Sequence, residues 1–384
     1  MSSAPAPSFR TDPLGHFDHQ LRTAGDAFWL SSSLLCVAEP AAAKRVLANP
    51  DGLFQEHSDF FHTRRGPFGP RSVQLAIGRS ARELLSACVA ARAEELPHAI
   101  ERELRGTTRW PDAGNHFVYR HLLGALAAEA HRPRIGATVE QVLERGVLAG
   151  ARESRSRLSR AVFRRRVFRA LTEEVERRVE ELGRGGVEAP RDLFDVLALA
   201  AGPGVRTADL AELYVPFLFA VAGSVGFTLG WAIYLLGTQP PDAPAEQTPP
   251  EWIVREALRL WPIAWQLARR PATTHEVAGV EVTPRHHVLV SPYVTHRHPA
   301  YWSEPERFRP ERWEDASAHR AFLPFGWGPH TCAAAALTLE LLRDVLAVLL
   351  RDYRLSVSPG SGAPFTGPSL APPRFELALS PKAP

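Results

Sequence analysis

The sequence predicts a mainly α-helical protein with small β-sheets, and three observations lead to this fold class. Apolar residues recur at helical spacing through long stretches of the chain. Residues 213–237 contain no charged residue, which is typical of a helix that is buried on all sides. The segments with the character of strands are short and lie in the C-terminal third.

The predicted elements follow in chain order. Helical periodicity predicts helices over residues 41–47, 79–105, 138–182, 208–236, 251–260 and 333–351. Strands are predicted over residues 287–291, 353–356 and 375–379. The proline-rich stretch 240–250 is the strongest candidate for a linker, but we expect no domain boundary there. With 384 residues, of which 45% are hydrophobic and 23% charged, we expect one globular domain over residues 1–384.

The composition argues against several classes of protein. A net charge of +3 is too small to indicate a nucleic-acid-binding protein. Three cysteines give no disulfide framework and suit a reducing cytosol, so we expect a cytoplasmic protein. The polar residues 1–7 resemble neither a signal peptide nor a membrane anchor. Residues 213–237 are long enough to span a bilayer, but Pro216 and three glycines interrupt them and basic flanks are missing, which favours a buried helix.

A cysteine near the C-terminus has the surroundings of a metal ligand. Residues 325–332 read Phe-Gly-Trp-Gly-Pro-His-Thr-Cys and run into an alanine- and leucine-rich helix predicted to start at residue 333. The two glycines allow a tight turn that exposes backbone N–H groups, and the helix dipole faces the sulfur. Both effects stabilise the thiolate of Cys332, the form that binds iron, while Phe325 and Trp327 would exclude water. The alternative is a buried structural cysteine, because most isolated cysteines are small core residues.

Two upstream segments favour the metal-ligand interpretation. Glu256 and Arg259 are spaced i, i+3 on a predicted helix, so that a carboxylate and a guanidinium share one face. Alone, such a pair is usually a solvated contact that contributes little to stability. Residues 302–313 read Trp-Ser-Glu-Pro-Glu-Arg-Phe-Arg-Pro-Glu-Arg-Trp, a proline-punctuated coil of aromatic residues and arginines.

Taken in order, the Glu-x-x-Arg helix, the Pro-Glu-Arg-Trp coil and the aromatic-glycine-cysteine loop resemble the cytochrome P450 family. The resemblance is dense from residue 256 onward and looser before it. It implies a divergent, soluble bacterial member with the P450 fold, in which haem lies between a long central distal helix and a C-terminal cysteine-loop helix. The implied cofactor is heme b (iron protoporphyrin IX), with Cys332 as the axial ligand of the iron. Glu256, Arg259 and Arg312 match the family's structural ion triad. Further haem contacts are expected from Phe325, Gly326, His330, Arg270 and Arg82.

The distal helix departs from the family pattern. The family usually carries Ala-Gly-x-(Asp/Glu)-Thr there, and the acid and alcohol organise the waters that protonate bound dioxygen. The catalytic positions over the iron match Ala222, Gly223, Val225 and Gly226. Valine therefore replaces the acid and glycine replaces the alcohol. Thr228 comes two residues too late, and Ser224 would point elsewhere on a regular helix.

The resemblance implies an oxidative tailoring enzyme, a monooxygenase-type oxidoreductase that acts on a small apolar or aromatic specialised metabolite. Because the acid–alcohol pair is missing, a non-standard oxidation such as coupling, cyclisation or substrate-assisted hydroxylation is predicted. The alternative is ordinary C–H hydroxylation of a natural-product intermediate, free or bound to a carrier protein. The expected substrate-pocket residues are Phe60, Phe61, Phe68, Ile263, Trp265 and Gln266.

The expected partners are proteins that deliver electrons or substrate. Ferredoxin and ferredoxin reductase are expected as electron donors, and Arg312, Arg320 and Arg343 would give the proximal face positive charge. The arginine-rich stretch 152–169 is either a solvated face or a docking site for an acidic carrier protein.

Two other interpretations start from single positions. A non-catalytic haem protein is suggested by Ala334, where the family prefers glycine, and by a shortened segment before Glu256. A serine hydrolase is suggested by Ser224, which lies in an Ala-x-Ser-x-Gly pattern similar to a nucleophile elbow.

Overall fold

The computed structural model describes residues 8–56, 58, 60–148, 157–185, 189–242, 244–315 and 320–382. The chain forms two compact units, each built from three stretches of sequence. The first unit comprises residues 1–57, 231–332 and 362–372, and the second comprises residues 58–230, 333–361 and 373–384. The single domain over residues 1–384 therefore stays a prediction, whereas the prediction of a mainly helical protein with small sheets is confirmed.

The first unit is built on a four-stranded mixed sheet with strand order β1-β2-β9-β6. Its strands are β1 (Ala27–Ser31), β2 (Leu34–Val37), β6 (Leu267–Arg269) and β9 (His287–Val290). β2 and β9 run parallel, whereas the two outer strands pair antiparallel with their neighbours. Two small hairpins pair β7 (His275–Val277) with β8 (Val280–Val282), and β11 (Phe365–Thr366) with β12 (Leu370–Ala371). The helices are α1 (Pro13–Thr23), α2 (Pro40–Ala48), α12 (Pro250–Leu260) and α13 (Pro292–Thr295).

Alternate residues of β2 face two different parts of the core of this unit. Leu35 packs in a cluster with Leu47 and Leu323, on the side of α2. Cys36 packs in a second cluster with Phe17 and other aromatic residues. The sheet is thus buried on both faces, which explains why its central strands are almost entirely apolar.

Prolines and acidic caps start the helices of the first unit. All four of these helices have proline in their first turn, where no backbone N–H is lost from the ladder. The Asp12 side chain accepts from the N–H of Gly15, and Glu39 accepts from the first two free N–H groups of α2. These local signals fix where the chain leaves the sheet.

The second unit is mostly helical. Its helices are α3 (Arg71–Ala91), α4 (Leu96–Leu104), α5 (Asp112–His121), α6 (Leu123–Leu126), α7 (Arg132–Val142), α8 (Arg157–Gly183), α9 (Leu193–Leu199), α10 (Thr207–Leu218) and α14 (Ala335–Asp352). A three-stranded antiparallel sheet has the order β10 (Tyr353–Pro359), β13 (Phe375–Pro381), β5 (Gly106–Trp110). A short hairpin pairs β3 (His62–Thr63) with β4 (Gly66–Pro67). The buried Arg178 joins α8 to α9 through ion pairs with Asp192 and Asp195 at 2.8 and 2.6 Å.

Several predicted boundaries are wrong. The helix predicted over residues 79–105 is two helices, because α3 ends at Ala91 and α4 begins at Leu96 with a proline in its first turn. The helices predicted over 138–182 are α7, a π-helical turn Leu143–Val147, and α8, which begins at Arg157 beyond a segment outside the described residues. The helix predicted from residue 333 begins at Ala335.

One long helical stretch combines α10, a π-helical turn over Phe219–Ser224, and α11 (Val225–Thr238). Among the described helices it is the one long and apolar enough to cross a membrane, but 72% of its most apolar window is buried in the protein. This burial is typical of a core helix, as the interrupted apolar pattern predicts. We call residues 207–238 the long helix.

Candidate functional site

The loop around Cys332, in the first unit, is a tightly turned and exposed piece of backbone. Gly326 and Gly328 have φ values of +74° and +75°, in the left-handed region that favours glycine. The Cys332 N–H donates to the carbonyl of Phe325 at 2.9 Å and closes the loop. Cys332 is exposed, so the alternative of a buried structural cysteine is wrong.

Helix α2 fixes the position of this loop. A Cβ on Gly328 would lie 2.6 Å from Ala48 Cα, so only glycine fits against the end of α2. α2 ends at Asn49, which adopts a left-handed conformation. The Asn49 side chain donates to the Phe54 carbonyl at 2.9 Å and accepts from the Phe54 N–H at 3.0 Å. One helix end therefore holds both the cysteine loop and residues 50–56.

Two expectations about the surroundings of Cys332 are wrong. Trp327 does not exclude water, because it is 42% exposed and lies under the Lys44 ammonium, whose Nζ is 4.0 Å from the ring centroid. The following helix does not start at residue 333, because Ala334 has φ −99° and ψ 12° and caps the helix from outside. The helix N-terminus still begins three residues after the cysteine.

The cation beside His330 is Arg269 rather than Arg270. Arg270 is exposed, and its Nε donates to the Pro284 carbonyl at 3.1 Å. Arg269 is only 5% exposed on β6 and lines a small cavity together with His330. Arg270 follows the last residue of β6. His330 Nε2 also lies 3.3 Å from Glu56 Oε2.

A buried cluster surrounds the carboxylate of Glu256, which is 0% exposed. Glu256 Oε1 accepts from Arg259 Nη2 at 2.8 Å, from Arg312 Nε at 2.9 Å and from the Arg309 N–H at 3.0 Å. Its Oε2 accepts from Arg259 Nε and from the indole of Trp313, both at 3.0 Å. Trp313 was not among the predicted site residues, although it ends the Pro-Glu-Arg-Trp motif. We call these residues the Glu256 cluster.

A buried histidine joins the Glu256 cluster to the segment that leads into the cysteine loop. The His296 ring contacts the Arg259 carbonyl through Nδ1 at 3.1 Å and accepts from the Leu323 N–H through Nε2 at 2.9 Å. The Leu323 carbonyl in turn accepts from the Gly326 N–H at 3.2 Å. Burial lowers the pKa of His296 to about 3, so the ring is neutral and Nδ1 carries the hydrogen. Burial also lowers the pKa of Arg259, although Glu256 opposes that shift.

The distal positions lie in the second unit, where the long helix is not regular. Ala222 and Gly223 belong to the π-helical turn, and both are buried. Val225 begins α11 and is 6% exposed. Gly226 faces α5, because a Cβ there would lie 2.6 Å from Asn115 Cα. Gly226 therefore has no room for a side chain, and its place over the iron stays a prediction.

Ser224 ends the π-helical turn and is continuous with helix on both sides. A nucleophile elbow needs a strand before the serine and a helix after it. The serine-hydrolase interpretation is therefore wrong. Thr228 is buried, and its hydroxyl donates to the Ser224 carbonyl at 2.8 Å.

The predicted pocket residues fall into two groups. In the second unit, Phe60 packs edge-to-face on Phe61 and Phe217 with ring centroids 5.1 and 4.7 Å apart, and Phe68 is 6.5 Å from Phe61. The sequence analysis missed Phe217, which lies on α10.

In the first unit, Ile263 is buried and Gln266 is exposed. Trp265 packs in the core of this unit, because its ring centroid lies 6.0 Å from that of Phe17 and its indole N–H donates to the Gly367 carbonyl. Arg82, predicted as a haem contact, is exposed on α3 of the second unit.

The residues of the first unit fit a thiolate-ligated haem. An exposed cysteine on a glycine turn leaves the sulfur accessible to a metal, which a core cysteine would not do. A buried guanidinium and an imidazole beside the same loop provide donors for carboxylates such as the haem propionates. This donor set is chemically compatible with a thiolate-ligated haem.

Comparisons with known proteins find similarity to cytochrome P450 proteins. The family model "Cytochrome P450" matches residues 251–378. "Cytochrome P450 3A40" of Oryzias latipes is 33% identical over 209 residues, which is 47% of this chain and 42% of that protein, so this chain spans less than half of that relative. "Pentalenene oxygenase" of Streptomyces avermitilis is 24% identical over 392 residues, covering 90% of this chain and 87% of that one.

The fold also matches a solved structure. A zebra fish cytochrome P450 in a structure with progesterone superposes with a TM-score of 0.73 at 19% identity, covering 96% of this chain and 99% of that chain. At this identity the likeness shows the fold alone. Motifs, fold and relatives agree: residues 251–378 match the cytochrome P450 family model, and the chain has the fold of cytochrome P450 structures.

Proposed function

We propose that the protein is a haem-thiolate oxidoreductase of the monooxygenase type, with Cys332 as the axial ligand of heme b. The observation that carries this proposal is the exposed Cys332 on a loop closed by the Phe325 carbonyl and connected to the buried Glu256 cluster. When bound, thiolate-ligated haem supplies activation of dioxygen, with two electrons and two protons consumed for each oxygen atom transferred.

The residues of this chain have distinct tasks in the proposal. The glycine turn presents the sulfur, and its backbone N–H groups favour the thiolate. Arg269 and His330 bind the propionates, in competition with Glu56, whose carboxylate lies beside His330. The Glu256 cluster anchors the coil of residues 302–313. His296 links this cluster to Leu323, which lies just before the cysteine loop.

The substrate that we propose is a small apolar specialised metabolite. The aromatic cluster of Phe60, Phe61 and Phe217 offers ring faces and edges without a charged partner among them, which suits an apolar ligand. A relative over most of the chain is named for the oxygenation of pentalenene, and this supports the same class.

We propose a non-standard oxidation, such as coupling, cyclisation or substrate-assisted hydroxylation, because Val225 and Gly226 replace the acid and the alcohol of the family pattern. Ordinary C–H hydroxylation is the alternative. Turnover under labelled dioxygen separates coupling and cyclisation from hydroxylation: label in the product indicates hydroxylation, ordinary or substrate-assisted, whereas a product with a new bond and no label indicates coupling or cyclisation.

Ferredoxin and ferredoxin reductase are the electron donors that we propose. Arg312 does not serve as a docking residue, because its side chain is 7% exposed within the Glu256 cluster. Arg343 is half-exposed and pairs with Asp344. For a carrier-bound substrate, the exposed Arg164, Arg165, Arg166 and Arg169 on α8 lie in the described part of the basic stretch, whose residues 152–156 lie outside the described chain.

The test is the reduced carbon-monoxide difference spectrum of protein expressed with a supply of haem. We expect the strongly red-shifted band of a thiolate-ligated haem in the native protein and in Cys88→Ser, and its loss in Cys332→Ser. Cys88 is the matched control, because it is half-buried on α3 of the second unit. Loss of the band in both variants, or its retention in Cys332→Ser, would contradict the assignment of Cys332.

A further inference from the structure

The π-helical turn in the long helix needs a partner from outside the helix. In such a turn the backbone bonds run from i to i+5, so the ladder is locally widened and carbonyl groups become available. Here the turn covers Phe219–Ser224, and α-helix resumes at Val225. Residues after the turn are rotated relative to a continuous α-helix, so the turn decides which face each later side chain occupies.

Asn115 of α5 provides this partner. It is 0% exposed, and its Nδ2 donates to the Ala222 carbonyl at 2.8 Å and to the Gly223 carbonyl at 2.9 Å. An amide nitrogen has two hydrogens, so both are used. Its Oδ1 is buried and has no hydrogen-bond partner within the part of the chain that the structure describes. The whole donor capacity of one buried side chain is thus directed at two consecutive carbonyls of the turn.

Close packing in and just after the turn leaves no room for a side chain at two glycine positions. A Cβ on Gly226 would lie 2.6 Å from both Asn115 Cα and Asn115 Nδ2. Because one of these atoms is backbone, no rotation of a side chain relieves the contact. A Cβ on Gly223 would lie 2.8 Å from Val147 Cγ1, at the end of the other π-helical turn. Glycines at these two positions let α5 and the second turn approach the long helix closely.

We propose that Asn115 is a positioning residue that holds the π-helical turn and thereby fixes the rotational register of Val225–Thr228. With Gly226 directed at α5, Ser224 and Thr228 lie on the opposite side of the helix, since residues two positions away are about 200° around the axis. The hydroxyl groups of this segment therefore face away from α5. This inference rests on the proposed function for its catalytic meaning, but its structural content does not.

The test is amide hydrogen exchange of peptides covering residues 219–228 in the haem-loaded protein. In Asn115→Ala we expect exchange at least about tenfold faster there, because two hydrogen bonds to the turn are lost. Asn115→Asp keeps the volume but presents oxygens to the two carbonyls, so we expect the same acceleration at neutral pH. At low pH the protonated carboxyl group donates one hydrogen, and protection should return in part.

Tyr214→Phe is the matched control. The Tyr214 hydroxyl is buried on α10 of the same helix and donates to the Leu126 carbonyl at 3.0 Å. Its loss should leave exchange in residues 219–228 within about twofold of the native protein, relative to the other helices. If Asn115→Ala does not fold, Asn115→Ser, which keeps one donor, should show an intermediate rate.

Native exchange rates in Asn115→Asp would overturn the inference, because they would mean that packing rather than the amide donor holds the turn. Rates in Asn115→Ala equal to those of Tyr214→Phe would overturn it as well. The outcome is independent of the Cys332→Ser spectrum: a protein without a thiolate band can still show the exchange effect, and the reverse also holds. In a reconstituted turnover assay, the Asn115 variants should release more peroxide per electron pair than Tyr214→Phe.

Discussion

Replacing Glu256 by glutamine should destabilise the first unit strongly. The change keeps the shape of the side chain and removes its charge. The carboxylate is fully buried and accepts five hydrogen bonds, three at Oε1 and two at Oε2. Whichever oxygen becomes an amide nitrogen, at least two N–H donors lose their acceptor. Two guanidinium groups, of Arg259 and Arg312, also lose their counter-charge.

The magnitude follows from this count. A buried donor left without an acceptor costs about 1–3 kcal/mol. Breaking a buried ion pair by removing one partner costs about 3–5 kcal/mol. We expect a loss of about 3–5 kcal/mol in the free energy of unfolding, which is a large part of the ~5–15 kcal/mol of a native protein.

The assay is urea unfolding followed by tryptophan fluorescence, since Trp302 and Trp313 both lie beside the Glu256 cluster. Glu304→Gln is the matched control in the same coil of residues 302–313. Glu304 is 52% exposed and pairs with Arg307 and Arg309 at 3.3 and 3.4 Å, so its loss should cost less than about 1 kcal/mol. Equal losses of unfolding free energy in Glu256→Gln and Glu304→Gln would refute the view that the Glu256 cluster stabilises residues 302–313.

Three more predictions follow from other parts of the structure. Gly328→Ala sets a Cβ against Ala48 at a φ of +75° and should lower the thermal midpoint and the haem content far more than Gly279→Ala, which has a φ of +79° and open space. The pKa of His296 is about 3 when folded and 6.5 as the ordinary value, so the unfolded chain binds the proton first. Stability should therefore fall as pH drops from about 6.5 toward 3, by up to about 1.4 kcal/mol per pH unit, and this slope should shrink in His296→Gln. Gly226→Thr should lower the thermal midpoint without restoring alcohol chemistry, because its Cβ meets the backbone of α5; an unchanged midpoint would contradict this.

The motifs of the first unit were predictable because each is local in sequence. Glu256 and Arg259 share a helix face at a fixed spacing. The two glycines before Cys332 predict a tight turn. Arg312 required the family resemblance, because nothing local links it to Glu256. The difference between Arg269 and Arg270 lies in burial and cavity lining, which two adjacent arginines in a sequence do not reveal.

The distal helix was less predictable, because its geometry depends on a distant element. An uncharged apolar run predicts a buried helix, but it does not show a π-helical turn. The hydrolase interpretation of Ser224 assumed a strand before the serine, and the structure has helix there. Asn115 had no signal of its own, since an asparagine in a helix more often faces solvent or a cap.

The pairing of β2 with β9 and of β5 with β13 has a consequence for how the protein is made. Each pair joins segments separated by more than half of the chain, Val37 to Val290 and Trp110 to Phe375. Neither sheet can close until the ribosome has delivered most of the polypeptide, so β5 and one edge of β2 stay unpaired during much of synthesis. The contact order of such a topology is high, and the closing strands form late. We expect nascent chains that stop before residue 375 to depend on chaperones and to be cleaved readily by proteases.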